Sequence, residues 1–220
     1  MECIEELNKR AFKQEKKKEH TGAIDRHRFQ ELHQEGRKLI RNWAERATSQ
    51  INCVDKNSFE PFIFGWIAIN GWATCVTGKD NDYEYLYALE LDDDLTHKFE
   101  NQLKENTEFK EAAQDFQRLW PIFKSKDVGN NAAWSGTRQQ IIQEYEASTP
   151  LAARTPECWS THRKRGEEIP TDWLHTLSAI YRVRCNLFHG YKGVYLENDV
   201  VIVSRAFRVL ARLLPMLINS

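Results

Sequence analysis

A chain of 220 residues that is 41% hydrophobic and 11% aromatic, with seven tryptophans, is long enough to bury one large core, or one core carrying an insertion. Its 31 Lys and Arg against 32 Asp and Glu leave a formal net charge of -1, which excludes a surface coated in basic residues for indiscriminate DNA binding while leaving room for a local basic cleft. The five cysteines (Cys3, Cys53, Cys75, Cys158, Cys185) are odd in number and never spaced C-x-x-C, which argues against a disulfide framework or a zinc site and fits a reducing cytoplasm. The chain is charged from residue 2, so no signal peptide is expected. The longest apolar stretch, 59–76, is interrupted by Pro61, Asn70 and two glycines, so no membrane span or membrane partner is expected either. A cytoplasmic protein is the expectation.

Residues 1–20 are rich in Lys and Glu with sparse apolar support (Ile4, Leu7, Phe12), the pattern of a charged, solvated helix. Over 21–50, Ile24, Phe29, Leu32, Leu39, Ile40, Trp43 and Ala47 recur at helical spacing and predict one long amphipathic helix. Ser58 then precedes Pro61, a cap and a first-turn proline for the next helix. Residues 62–76 are apolar nearly all round, which predicts a central buried helix near 60–77, with Gly65, Ala68, Gly71 and Ala73 admitting close neighbours. From about 79 to 168 the pattern loosens. Helices are expected near 82–91, 93–104, 107–124 and 136–147, in what reads as an insertion within a single domain spanning 1–220. Asp92, Asp93 and Asp94 form an acidic helix start rather than a metal site, because successive carboxylates on a helix diverge. Residues 148–169 hold Pro150, Pro156 and the basic run His162–Arg165, and read as a loop. Pro170, Thr171 and Asp172 are start signals for a helix running to about His189. Over 194–203, the apolar runs around Asn198 and Asp199 fit a short hairpin. A last helix over 204–218 buries Ala206, Val209, Leu210, Leu213 and Leu217 and sets Arg205, Arg208 and Arg212 on its other face. The fold class is all-α, a helical bundle.

The chemistry concentrates at the end of the 172–189 helix. At about 100° per residue, Trp173, Leu177, Ile180 and Phe188 fall within about 40° of Arg184, which sets an always-charged guanidinium in the middle of an apolar stripe. His189 follows five residues later and Gly190 stops the helix. Histidine is the side chain that titrates near neutrality, and the C-terminal end of a helix favours cations. A fixed cation beside a titratable group suits the handling of phosphate. The bland alternative is an arginine snorkelling from a helix edge and a histidine that merely caps. The remaining histidines, His20, His27, His33, His97 and His175, have no ligand-like spacing, so neither a metal nor a cofactor is expected.

Arg184-Cys-Asn-Leu-Phe-His189-Gly190, with the upstream apolar helix beginning Phe59-Glu-Pro-Phe, resembles the signature of the HEPN superfamily (higher eukaryotes and prokaryotes nucleotide-binding), in which an arginine and a histidine lie four to six residues apart near the end of a late helix. The resemblance covers 22–78 and 172–218 and leaves the middle of the chain unmatched. It implies a helical bundle that forms a homodimer with two Arg/His pairs facing across a composite active site. It further implies a metal-independent endoribonuclease, in which the 2′-OH of RNA attacks the adjacent phosphate and leaves a 2′,3′-cyclic phosphate and a 5′-OH, in prokaryotic defence or toxin–antitoxin growth control. His189 would move the proton and Arg184 would hold the phosphate in a bidentate way. The family often carries Asn, Asp or His directly after the arginine. Here Cys185 stands there and Asn186 is one residue later, so Asn186 is the supporting polar residue. Arg182 also fits the permitted spacing and shares a face with His189. Arg182, Lys192, Arg205 and Arg208 are the expected RNA contacts. Tyr191 gives Arg-x4-His-x-Tyr, resembling HEPN toxins whose tyrosine is adenylylated by a nucleotidyltransferase antitoxin, so Tyr191 is a candidate modification site and an antitoxin or activator a candidate partner. A non-catalytic HEPN module that binds nucleotide, RNA or a protein is the other reading.

Overall fold

A computed structural model describes residues 24–51, 58–120, 122, 140, 168–189 and 197–219. These hold eight α-helices and no strand: α1 His27–Glu31, α2 Gln34–Thr48, α3 Phe59–Thr77, α4 Asp82–Glu90, α5 Asp93–Glu105, α6 Thr107–Gln117, α7 Trp173–Phe188 and α8 Glu197–Ile218. The all-α architecture stands. The charged segment 1–20, the helix expected over 136–147 except for Gln140, and the basic run at 162–165 lie outside the described residues.

The two most apolar segments of the chain organise the rest. α3 packs most extensively on α2 and α8, and α8 also covers α6 and part of α2. Phe62, Trp66, Ile69 and Trp72 of α3 and Val209, Leu210 and Leu213 of α8 are all buried in the shared core. The small residues of α3 set the spacing. A Cβ on Gly65 would stand 3.0 Å from Leu210 Cδ2, and one on Gly71 would stand 3.1 Å from Ile40 Cγ1 of α2. α3 ends on Gly78 at φ 64°, a left-handed stop that a side chain would strain.

Around this pair the short helices α4, α5 and α6, all within the stretch expected as an insertion, join the same core, and α4 and α5 hold α7. Phe99 of α5 sits between Phe109 of α6, edge-on at 5.3 Å, and Trp173 of α7 at 5.9 Å. Each of these helices starts on a side-chain cap: Asn81 accepts from Tyr83 N, Asp92 from Leu95 N and Asn106 from Phe109 N. Asp92 therefore is the acidic helix start expected of it, and it also pairs with Arg26 at 2.7 Å.

Two expectations are corrected. The long helix over 21–50 is broken at Leu32 and His33, where ψ turns to 141° and the His33 ring caps Glu35 N to begin α2; such a local side-chain bond leaves no trace in periodicity. The hairpin over 194–203 is not formed in its second half, because residues 197–203 are the first turns of α8. The β-branched run Val200-Val-Ile-Val203 favours strand, but Ile202, Val203, Ala206 and Phe207 recur at helical spacing and bury against the bundle, and packing outweighs propensity. Residues 194–196 lie outside the described residues.

Candidate functional site

α7 is seated antiparallel to α4 and fastened to it at three levels. At its start, Trp173 Nε1 donates to the Leu89 carbonyl at 2.7 Å, with the indole buried. Near the middle, Ser178 Oγ donates to Glu90 Oε1 at 2.9 Å. At its end, Arg184 Nη1 meets Asp82 Oδ2 at 2.9 Å. Asp172 caps the helix as expected, accepting from His175 N at 2.8 Å while its carboxylate also meets His175 Nδ1. The antiparallel seating puts the negative end of α7 beside the guanidinium and the positive end of α4 beside the carboxylate, so both helix dipoles favour the Arg184–Asp82 pair.

Arg184 stands at the edge of the buried face rather than at its centre, which at this end of α7 runs through Val183 and Asn186. Its side chain keeps 21% of its exposure and that of Asp82 25%. Three rings enclose the guanidinium: Phe188 at 4.8 Å from ring centroid to Cζ, Trp66 at 5.7 Å and Tyr181 at 5.9 Å. Each offers a π face to the cation. Phe188 itself is 49% exposed, so the rim of this enclosure is open to solvent. Arg184 Nε is buried without a hydrogen-bond partner among the described residues. Asp82 is shared: its Oδ1 accepts from the buried Tyr85 hydroxyl at 2.9 Å. Burial, and then the bond to Asp82, push the Tyr85 phenol well above its ordinary range. Burial and a bond with Cys185 raise Tyr181 to about 12. Both phenols are therefore neutral at neutral pH and neither serves as a base there.

His189 is the C-cap of α7, exposed, with its own N–H bonded to the Cys185 carbonyl at 3.1 Å. Arg184 and His189 thus occupy the last turns of one helix. Asn186 does not join them. It is buried to 4% exposure on the side of α7 away from Arg184, facing the core. Arg182 is half-buried on α7. Lys192, Tyr191 and Gly190 lie outside the described residues. Arg205 and Arg212 face α6, Arg205 donating to the Asp115 carbonyl and Arg212 pairing with Glu108 Oε2, both at 3.1 Å. Arg208 is half-buried between them.

The residues that sequence reasoning missed are Asp82, Tyr85, Trp66 and Tyr181. Asp82 is one of several acids in the run 80–94, and nothing in its neighbours marks it as the partner of a residue 102 positions away. Trp66 reads as plain core within the apolar run 62–76, and Tyr181 carries no reading of its own. Among the described residues no group of three or more His, Cys, Asp or Glu is placed to hold a metal ion, and no helix is long and apolar enough to cross a membrane.

No family model, curated protein or solved structure matches the chain. The likeness to HEPN proteins therefore rests on the residues themselves. What they assemble is an aromatic-lined guanidinium at a solvent-facing rim, five residues before an exposed imidazole at the end of the same helix. Such an arrangement can bind an oxyanion and exchange a proton beside it.

Proposed function

We propose that the chain is a HEPN-type, metal-independent endoribonuclease that works as a homodimer, cleaving RNA in prokaryotic defence or toxin–antitoxin growth control. His189 takes the proton of a ribose 2′-OH as that oxygen attacks the adjacent phosphorus. The bond from phosphorus to the 5′-oxygen breaks, the leaving oxygen is protonated, and the ends are a 2′,3′-cyclic phosphate and a 5′-OH. Arg184 binds the phosphate oxygens and offsets the charge that builds on them. The observation that carries the reading is the pairing of an exposed His189 with an Arg184 whose guanidinium is held against Phe188, Trp66 and Tyr181 at the open end of the same helix. Arg182, Lys192, Arg205 and Arg208 serve the RNA backbone in this reading, and Tyr191 is the residue that a nucleotidyltransferase antitoxin would modify.

Two observations favour a second reading, a non-catalytic HEPN module that binds nucleotide, RNA or a protein partner: the guanidinium is already paired with Asp82, and Asn186 is withdrawn into the core. Incubating the purified protein with single-stranded RNA in EDTA separates the two. Cleavage by the wild type that leaves cyclic-phosphate ends and is lost in Arg184→Ala and His189→Ala supports the ribonuclease. Intact RNA with every folded variant supports the module.

A further inference from the structure

We propose that Asp82 is a built-in competitor for the phosphate site, a carboxylate that occupies Arg184 until an RNA phosphate displaces it. The inference rests on Arg184 being the phosphate-binding residue. Three observations carry it. The ion pair takes up Nη1, at 2.9 Å, and a bidentate phosphate contact uses either the two terminal nitrogens or Nε with one of them. The first edge is therefore blocked. The second is blocked too, because Nε is buried and can reach an incoming oxygen only if the side chain shifts out of its enclosure.

Next, Asp82 has a second anchor that needs no arginine. Its Oδ1 is held by the Tyr85 hydroxyl, and it lies in the first turn of α4, where the helix dipole favours an anion. Releasing Arg184 leaves a carboxylate still held at Oδ1 and 25% exposed, so its other oxygen can turn to solvent as the pair opens. Finally, the open side of the enclosure is Phe188, whose ring is both the closest of the three to the guanidinium and half exposed. A guanidinium that leaves Asp82 can swing over that ring and keep its cation–π contact while its donors turn toward solvent. The other polar tethers of α7, Trp173 to Leu89 and Ser178 to Glu90, lie further up the helix and are undisturbed by this motion.

The test is binding, so that it does not depend on catalysis. A fluorescein-labelled single-stranded RNA carrying 2′-O-methyl groups, which has no attacking hydroxyl, is titrated at fixed ionic strength with wild type, Asp82→Asn, Arg184→Ala and the double variant, each checked for an unchanged far-ultraviolet spectrum. Asp82→Ala is the second variant should the asparagine fail to fold. Asp82→Asn is expected to tighten binding roughly tenfold, the scale of ~1.4 kcal/mol, and to bring less than about a twofold change when Arg184 is already alanine, because competitor and site are then uncoupled. Equal, weaker or absent binding by Asp82→Asn overturns the proposal, as does an equal gain in the Arg184→Ala background, which would be plain long-range repulsion. Unmodified RNA in EDTA is run in parallel. Tighter binding with no cleavage by any variant would retain the competitor and discard the ribonuclease.

Discussion

Arg184 sits at the rim of the buried face of α7, and the fold lines it with rings. Three π faces and one carboxylate compensate a cation whose Nε has no partner among the described residues, so neither Asp82 nor Phe188 is a passive neighbour. Trp173, at the other end of α7, shows the opposite solution: a large buried apolar side chain whose one polar atom is used, its indole N–H bonded to the Leu89 carbonyl. Trp173→Phe removes that donor and opens space beside Phe99, while the Leu89 carbonyl keeps the Asp92 N–H at 3.3 Å. The expected loss is about 1–2 kcal/mol, combining one lost hydrogen bond with a partial cavity, and urea denaturation would measure it. A loss below ~0.5 kcal/mol would show that the indole N–H adds little to the seating of α7. The Tyr85–Asp82 bond within α4 contributes less. Tyr85→Phe keeps the buried ring and deletes one hydrogen bond to a partly exposed carboxylate, so about 1 kcal/mol is expected in the same assay.

α7 as an element was legible because three independent signals agree on it. Asp172 caps it, Leu177, Ile180 and Val183 recur along its buried side, and the helix ends where Gly190 predicted. Asp172→Ala should cost about 1 kcal/mol through the cap alone, and the His175 ring loses its carboxylate with it. A fall in Tm of roughly 2–4 °C is expected for a chain of this size. If calorimetry finds no change, α7 is held by its tethers to α4 and not by its start. α3 was legible for a different reason, since a helix apolar on every side has only one place to go. The start of α8 was not. Val200-Val-Ile-Val203 carries strand propensity, and only the bundle into which Ile202 and Val203 pack decides for helix. The position of Arg184 was half legible. An ideal wheel centred the apolar stripe on it, yet the neighbours of α7 sit to one side, so Val183 takes the centre and Arg184 the rim. Asn186 was expected at the site and lies in the core by the same rotation. Asp82 was out of reach of any local signal, because contacts between segments so distant in sequence are set by the fold.

At the scale of the molecule, these contacts make stability depend on two neutral phenols. Tyr85 and Tyr181 flank the Arg184–Asp82 pair from α4 and α7, and both are raised mainly by burial. The ordinary value is 10.0 and Tyr181 is held at about 12, so the folded state prefers the protonated form. The unfolded chain then gives up its phenolic protons first as pH rises. The stabilisation is therefore complete below about pH 10 and is lost progressively as pH climbs toward 12. Tyr85 extends the effect in the same direction to higher pH. Lysines deprotonate in the same window, which makes the wild-type curve alone ambiguous. The difference between wild type and Tyr181→Phe is not, because the substitution keeps the ring beside Trp66 and removes only the ionisable group. Urea midpoints from pH 8 to pH 11.5 should fall more steeply for the wild type than for Tyr181→Phe, with the two curves parallel below about pH 9.5. Curves that stay parallel throughout would mean that Tyr181 meets solvent freely and that the enclosure around Arg184 is open in solution. The competitor role of Asp82 would then lose the confined guanidinium on which it depends. A convergence above pH 10 would tie the site to the core, since the tyrosine that covers Arg184 would be ionised only as the bundle opens.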